Sequence, residues 1–202
     1  MIHIVDYGLG NLASIINMFK HIGISDVKIT NDKKELETAD KIILPGVGAF
    51  DNGMKHLEKY DLIGVLNRKA LEEKIPVLGI CLGMQLMTNG SEEGNKAGLC
   101  WFDANTIKFE LKNEYKVPHM GWNYVRAIKN KHDFLIRDIN YRFYFVHSYY
   151  VKSNNYDNVL FETNYSFTFH SAIQKDNIIG MQFHPEKSLH YGMDIFKQFA
   201  RL

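Results

Sequence analysis

Two hydrophobic periodicities alternate along the first half of the chain. Short apolar runs of the kind that form buried strands lie at residues 2–5, 27–29, 41–44 and 76–80. After the first run, apolar residues recur at helical spacing: Leu12, Ile15, Ile16, Phe19 and Ile22. We expect Asn11 to cap this helix and Gly23 to end it. Strands that alternate with amphipathic helices predict βαβ units around a parallel sheet.

Two more helices are expected in the first half, one after about Asp32 and one over roughly 52–73, and Pro45 is expected to end the third strand.

The second half of the chain has a different pattern. From about residue 105, β-like segments follow one another at 106–109, 122–125, 142–151, 159–161, 167–174 and 178–182. A final helix from about His190 would place one apolar face on the sheet, formed by Ile195, Phe196, Phe199 and Leu202. The sequence predicts one α/β domain, residues 1–202, with a mostly parallel central sheet flanked by helices and additional β segments in the second half.

The composition narrows the classes of function. With 46% hydrophobic and 23% charged residues, the chain is expected to be a globular protein with a sizeable core. Its 24 basic and 23 acidic residues give no electrostatic basis for binding nucleic acid or an anionic membrane. No stretch has the length of a membrane span or the form of a signal peptide, and the two cysteines form no Cys-x-x-Cys pair. We therefore expect a cytoplasmic protein.

A cysteine lies at the junction of the fourth predicted strand and the next helix, in Gly79-Ile80-Cys81-Leu82-Gly83. Glycines two residues on either side of a nucleophile are typical of a sharp strand-to-helix turn, where a Cβ would clash. The start of a helix also favours a thiolate, which makes Cys81 a candidate nucleophile. The alternative is a buried structural cysteine between two packing glycines.

A candidate base for this thiol lies in His184-Pro185-Glu186. In an extended chain, residues i and i+2 point to the same side about 6.6 Å apart, and a proline favours that geometry in the residue before it. Glu186 would then orient one imidazole nitrogen while the other faces the thiol, as in a Cys-His-Glu triad. The other eight histidines show no metal-ligand spacing, so we expect no metal.

Two glycine-rich turns are further candidates. After the third strand, the backbone N–H groups of Val47 and Gly48, with that of Leu82, could form an oxyanion hole, although such a loop alone is more often a plain turn. Gly8-Leu9-Gly10-Asn11-Leu12-Ala13 matches a relaxed dinucleotide fingerprint. That second match is weak, because Ile29-Thr30-Asn31 lies where an acidic residue is expected.

Taken together, these motifs resemble the class I (triad) glutamine amidotransferases. Three more narrow the resemblance to the glutaminase subunits of imidazole glycerol phosphate synthases: Asp6-Tyr7-Gly8-Leu9-Gly10-Asn11-Leu12, Pro45-Gly46-Val47-Gly48-Ala49-Phe50 and His119-Met120-Gly121-Trp122-Asn123. The resemblance implies that Cys81 attacks the side-chain amide of glutamine, that His184 relays the proton and that Glu186 orients His184. It also implies a glutamine pocket, with no cofactor, formed by Gln85, Glu93, His147, Ser148 and Tyr149.

The resemblance further implies a partner. In that family the ammonia passes to a separate (β/α)8 cyclase subunit, which makes imidazole glycerol phosphate and an aminoimidazole carboxamide ribotide for histidine biosynthesis. Four residues match positions at the subunit interface: Asn11, Trp122, Tyr144 and Lys187. Ordinary core packing is the alternative for the two aromatic residues. The partner is expected to complete the oxyanion hole, so the isolated chain should be a weak enzyme.

Other functions stay open at this point. Residues 87–90, Met-Thr-Asn-Gly, depart from the family's usual pattern and look like a paralogous branch that supplies ammonia to a nucleotide-sugar amidotransferase in surface glycan synthesis. A catalytically silent module on the same fold would predict a missing triad member, whereas all three are present. A cysteine peptidase would use the triad without the glutamine pocket. A dinucleotide-dependent oxidoreductase has only the weak Gly8 loop to support it.

Overall fold

The chain folds into alternating strands and helices up to residue 86 and mainly into strands from residue 104 to 181, in a computed structural model that describes residues 1–110, 114–128 and 141–202. The helices are α1 (Leu12–His21), α2 (Lys33–Leu36), α3 (Phe50–Lys59), α4 (Ile63–Asn67), α5 (Leu82–Leu86) and α6 (Leu189–Arg201). The strands are β1 (Ile2–Val5), β2 (Val27–Thr30), β3 (Lys41–Gly46), β4 (Val77–Cys81), β5 (Ala104–Lys108), β6 (His119–Tyr124), β7 (Arg126–Ala127), β8 (Arg142–His147), β9 (Tyr149–Ser153), β10 (Val159–Tyr165), β11 (Phe167–Lys175) and β12 (Ile178–Met181).

The main sheet has a parallel half and an antiparallel half. Its order is β2-β1-β3-β4-β12-β11-β10-β7, with β9 branching from β11 and β5 pairing with β9. The first five of these strands run parallel, and the others pair antiparallel. Strands β6 and β8 form a separate antiparallel ribbon. The predicted α/β fold, with its parallel sheet and additional β segments, is confirmed.

Two apolar clusters cover the two faces of the sheet. Along β3, Ile42 and Leu44 belong to one cluster and Ile43 to the other, as the two-residue period of a strand requires. Residues of α1 and α6 pack in the first cluster, and residues of α3, α4 and α5 pack in the second. Because both faces are covered, functional groups on the parallel strands can meet solvent only at strand ends.

Some predicted boundaries are wrong. Pro45 does not end β3, which continues to Gly46. Strand β1 pairs with β3 only as far as Ile43, so the proline lies on a locally free edge where its missing N–H is tolerated. The predicted segment 142–151 is two strands, because the chain leaves the ribbon and enters the main sheet at Ser148.

The helical predictions need three corrections. Residues 52–73 do not form one helix but α3, α4 and a π-helical turn over Arg68–Glu72. Asn11 precedes α1 as predicted, but its side chain makes no capping hydrogen bond. Leu202 does not share the buried face of α6, because that helix ends at Arg201 and Leu202 is 45% exposed. None of the helices within the described ranges combines the length and apolar character needed to cross a membrane.

Candidate active site

Cys81 lies on a strained turn between β4 and α5. Its φ of 53° and ψ of −109° place it in a region that a non-glycine residue rarely adopts, at a cost of about 1–3 kcal/mol. The flanking glycines allow close packing: a Cβ at Gly83 would lie 1.8 Å from the Leu44 carbonyl oxygen, and one at Gly79 would lie 2.9 Å from the Gly83 carbonyl carbon. The turn has the geometry of a nucleophile elbow, and it presents the Cys81 thiol with 7% of the residue exposed.

His184 and Glu186 form a buried pair beside this turn. The Nδ1 atom of His184 lies 2.8 Å from Oε1 of Glu186, and the two residues are 1% and 9% exposed. The geometry differs from the predicted one, because Pro185–Lys187 is a 3₁₀ turn rather than an extended segment. The turn still carries Glu186 back to the imidazole. Among the described residues, Nε2 of His184 has no hydrogen-bond partner, which leaves it free to serve a reacting group.

The charge state of His184 depends on its two neighbours. Burial alone would lower the pKa of His184, but the negative charges of Cys81 and Glu186 outweigh burial and raise that pKa to about 10. The imidazole therefore keeps its proton at neutral pH while the thiolate is present. A thiolate beside an imidazolium can attack a carbonyl carbon and then protonate the leaving nitrogen.

A cavity of about 410 Å³ opens at the thiol, within the range typical of small-molecule sites. The residues that line it are Val47, Gly48, Ala49, Cys81, Leu82, Gln85, Glu93, Pro118, Val146, His147, Ser148, Tyr149 and His184. The structure thus brings together the candidate nucleophile and base, the candidate oxyanion donors and the whole set that the resemblance implied for a glutamine pocket. Glu186 lies behind His184 and is not part of the wall.

Glu93 reaches the cavity from a loop that is tied to the start of α3. Its Oε2 accepts a hydrogen bond of 2.8 Å from the Phe50 N–H, where a helix begins and favours a negative charge. In return, Asp51 accepts hydrogen bonds from the N–H groups of Asn95 and Lys96, and these bonds lower the pKa of its carboxyl group. The reciprocal bonds fix the Glu93 carboxylate in the wall of the cavity.

Gln85 reaches the cavity through a hydrogen-bond network that includes an unpredicted residue. Its Nε2 donates to the Tyr149 carbonyl oxygen at 3.2 Å and to Oε1 of Gln182 at 3.1 Å. Gln182 is fully buried, and its own Nε2 lies 3.7 Å from the Cys81 sulfur. The signal was available in the sequence, because Gln182 precedes His184 by two residues and shares its side of the chain.

Tyr7 is a second residue whose role was not predicted from the sequence. Its hydroxyl is fully buried and donates to the Pro45 carbonyl oxygen at 2.6 Å. A Cβ at Gly46 would lie 2.4 Å from that hydroxyl oxygen. Tyr7 thus anchors the start of the loop that carries Val47 and Gly48, whose φ of 104° is in the left-handed region that favours glycine.

His147 lines the cavity with both ring nitrogens already occupied. Its Nδ1 lies 2.7 Å from the Tyr149 carbonyl oxygen, and its Nε2 lies 2.9 Å from Nδ1 of His119. The imidazole has no nitrogen left for a ligand, so any hydrogen bond from His147 to a bound molecule falls to its backbone. Burial lowers the pKa of His147 to about 3 and that of His119 to about 4, and both rings are neutral at pH 7.

This buried pair predicts an acid-sensitive fold. We expect the free energy of unfolding to fall as the pH is lowered from about 6.5 towards 4, because the unfolded chain then binds protons that the folded chain excludes. Each such proton contributes up to about 1.4 kcal/mol per pH unit. Urea unfolding at several pH values measures the slope.

The variant His119→Asn is the control for this pH dependence. Burial also lowers the pKa of His3 and His170, so these histidines destabilise the folded chain on acidification as well. The contribution of His119 is therefore the difference between wild type and variant in the slope of unfolding free energy against pH. Because the variant lacks one titrating imidazole, the slope of its unfolding free energy against pH should be smaller by up to about 1.4 kcal/mol per pH unit. A stability that is flat or increases on acidification would contradict the prediction.

Three of the four candidate interface residues form one surface cluster. Trp122 and Tyr144 pair across the β6–β8 ribbon with ring centroids 6.3 Å apart, and Nζ of Lys187 lies 5.7 Å from the Tyr144 ring. Trp122 is 43% exposed, which contradicts the alternative of core packing for this residue. Asn11 is separate in the chain, but α1, which it precedes, packs against the 3₁₀ turn that carries Lys187.

The remaining alternatives gain little from the structure. At the end of β2, where a dinucleotide site needs an acidic side chain, Thr30 accepts a hydrogen bond from the Asp32 N–H. Within the described ranges, no group of three or more histidine, cysteine or acidic side chains is arranged to hold a metal ion.

Comparisons with known proteins agree with this geometry. Residues 3–201 match the family model described as glutamine amidotransferase class-I. The chain is 55% identical, over all of its length and 99% of the relative, to "Imidazole glycerol phosphate synthase subunit HisH 2" of Methanococcus maripaludis. It is 46% identical, over the full length of both chains, to the protein of the same name in Pseudomonas aeruginosa. The names describe those relatives as subunits of a synthase.

Solved structures share the fold at low sequence identity. A crystal structure described as a glutamine amidotransferase superposes with a TM-score of 0.73 at 17% identity, covering 100% of this chain and 98% of that one. The glutaminase domain of the Trypanosoma brucei CTPS, with bound acivicin, gives a TM-score of 0.69 at 17% identity, over 99% and 93% of the two chains.

Proposed function

The chain belongs to the class I glutamine amidotransferases, and we propose on this premise that it is the glutaminase subunit of an imidazole glycerol phosphate synthase. It hydrolyses glutamine to glutamate and ammonia, and the ammonia passes to a (β/α)8 cyclase subunit. That partner makes imidazole glycerol phosphate and aminoimidazole carboxamide ribotide in histidine biosynthesis. The observation that carries the proposal is the strained Cys81 turn beside the buried His184–Glu186 pair, with Cys81 and His184 in the wall of one cavity.

The first half-reaction releases ammonia. The Cys81 thiolate attacks the side-chain carbonyl carbon of glutamine, and the backbone N–H of Leu82 with those of Val47 and Gly48 receives the oxyanion. The His184 imidazolium then donates its Nε2 proton to the amide nitrogen as the C–N bond breaks. The products are ammonia and a γ-glutamyl thioester on Cys81. Glu186 stabilises the positive imidazolium before this transfer and holds its orientation.

The second half-reaction regenerates the thiol. Neutral His184 takes a proton from a water molecule, and the resulting hydroxide attacks the thioester carbonyl carbon. Collapse of this intermediate breaks the C–S bond, frees glutamate and returns the thiolate to Cys81. The same oxyanion donors serve both steps, because both intermediates place the negative oxygen at the same position.

The glutamine pocket orients the substrate for these steps. Glu93 supplies a carboxylate, fixed in the cavity wall, that can pair with the α-ammonium group of glutamine. Gln85 offers the acceptor Oε1 of its amide, because its Nε2 already donates to Tyr149 and Gln182, and His147, Ser148 and Tyr149 form another part of the wall. A pocket of this kind distinguishes a glutaminase from a cysteine peptidase with the same triad.

The partner surface is the cluster of Trp122, Tyr144 and Lys187, with Asn11 nearby. Trp122 is exposed, Tyr144 is half-buried with the Lys187 ammonium group over its ring, and aromatic side chains are enriched at protein interfaces. The loop that carries Val47 and Gly48 is exposed, so contact with the partner can complete the oxyanion hole, and the isolated chain should hydrolyse glutamine weakly. We place the whole of residues 1–202 in this one glutaminase domain. We assign it to the cytoplasm, where its two unpaired cysteines would stay reduced.

Reconstitution with the cyclase subunit of the same genome tests this function. Glutamine-dependent formation of imidazole glycerol phosphate is expected from the mixture and not from either subunit alone. Synthesis with free ammonia shows that the cyclase itself is active. If that cyclase makes product from ammonia but not from glutamine in the presence of this chain, the histidine assignment is wrong. Ammonia delivery to a nucleotide-sugar amidotransferase, assayed in parallel, would then identify the paralogous function.

A further inference from the structure

We propose that His119 is a positioning residue for the glutamine pocket, which acts through His147 to fix the backbone of Ser148 and Tyr149 in the cavity wall. The inference rests on the proposed function, because the pocket it serves is the one assigned to glutamine. His119 is not among the residues that line the cavity, so any effect on the pocket passes through other residues. It is linked to the pocket through a chain of hydrogen bonds in which the bond from His119 to His147 is buried.

The direction of every bond in this chain is determined. The Tyr149 carbonyl oxygen can only accept, so Nδ1 of His147 carries the proton in their 2.7 Å contact. In a neutral ring, Nε2 of His147 is then an acceptor, and Nδ1 of His119 must donate to it across 2.9 Å. Nε2 of His119 in turn accepts from the side-chain amide of Asn123 at 3.2 Å. Both histidines are therefore fixed as the Nδ1-protonated tautomer.

The chain of bonds crosses the point where the backbone changes sheets. His147 is the last residue of β8 in the ribbon, and Tyr149 is the first residue of β9 in the main sheet. The bond between them bridges Ser148, which lines the cavity. Gln85 donates to the same Tyr149 carbonyl oxygen at 3.2 Å. That carbonyl is held by two donors, and one of them depends on His119.

The other end of this series of hydrogen bonds, at His119 and Asn123, lies on β6, the strand that also carries Trp122 of the partner surface. Along β6, His119 points inward and is 2% exposed, whereas the alternate residues Met120 and Trp122 are 61% and 43% exposed. Asn123 uses its second amide hydrogen on the Asn164 carbonyl oxygen, which anchors β6 to β10. A partner bound on the outer side of β6 would therefore contact the strand whose inner side carries His119, the residue that is linked to the pocket through His147.

Two variants of His119 separate the hydrogen bond from packing. Asparagine places an amide N–H near the position of Nδ1, whereas leucine has a similar shape and no donor. Both remove the stacking of the ring on Tyr165 and Phe145, at 4.0 and 4.7 Å between centroids, so the loss of packing is common to the pair. In complex with the cyclase, His119→Leu should lower kcat/KM for glutamine about tenfold relative to His119→Asn, mainly through KM.

The tautomers of His119 and His147 can also be measured directly. This second measurement uses the wild-type chain, so it needs neither an activity assay nor a variant. Nitrogen-15 NMR of the imidazole rings in the full wild-type chain at pH 7 should show protonated Nδ1 and unprotonated Nε2 at both His119 and His147. An Nε2-protonated His147 would overturn the proposal, as would equal activities of the two variants or a loss confined to kcat. A wild-type complex that forms no product from glutamine would instead contradict the proposed function, and the NMR result would still decide the hydrogen-bond chain.

Discussion

Cys81→Ala is expected to lower glutamine-dependent synthesis by at least about a thousandfold while ammonia-dependent synthesis by the same complex continues. The thiolate is the only atom proposed to bond covalently to glutamine, and the acceptor chemistry takes place on the partner subunit. Alanine keeps a Cβ at the strained φ of 53°, so the turn itself is conserved. Product formation by the reconstituted complex, with glutamine and then with ammonium chloride, measures the two activities.

Cys100→Ala is the matched control for this substitution. Cys100 is the other cysteine of the chain, also has a positive φ, of 56°, and is exposed rather than buried. It lies outside the cavity lining, and both activities should survive its replacement. If Cys81→Ala instead removed both activities, Cys81 would be a structural residue and the glutaminase assignment would be wrong.

Gly83→Ala is expected to reduce the free energy of unfolding by about 3–5 kcal/mol and to abolish glutamine hydrolysis. The new Cβ would lie 1.8 Å from the Leu44 carbonyl oxygen, and a backbone atom cannot move aside as a flexible side chain can. Relief requires α5 to separate from β3, which displaces Cys81 from the loop that carries Val47 and Gly48. Urea unfolding together with the glutaminase assay measures both effects.

Gly64→Ala separates this steric effect from the general consequences of replacing glycine. Gly64 lies in α4, and a Cβ there would meet nothing within 4 Å. Because alanine favours a helix over glycine, the variant should be unchanged or more stable by up to about 1 kcal/mol. Equal stabilities for the two variants would show that the turn tolerates a side chain at position 83.

The fold was largely predictable because its strands and helices have clear hydrophobic periods. The errors arose where tertiary pairing decided the boundary. Pro45 extends β3 because β1 has already stopped pairing there, and a local pattern contains no such information. The segment 142–151 is continuously β-like, so its sequence does not reveal that Ser148 passes from one sheet to another.

The site was predictable where a catalytic residue lies in a short, recognisable motif. Cys81 and His184 were found from their immediate neighbours, although Glu186 reaches His184 through a 3₁₀ turn rather than an extended strand. The supporting residues were missed because their partners are distant in the chain. Tyr7 bonds to a residue 38 positions away and Gln182 to one 97 positions away. Long-range polar contacts of this kind leave no local period in a sequence.

The pairing of β4 with β12 also sets when the enzyme becomes complete during its synthesis. Ile80 lies opposite Met181, so the strand that ends at the nucleophile finds this neighbour only after about a hundred more residues have been added. Until then the growing chain carries Cys81 without the base that activates it. A chain that stops before residue 184 therefore holds the nucleophile without its base and is not expected to hydrolyse glutamine.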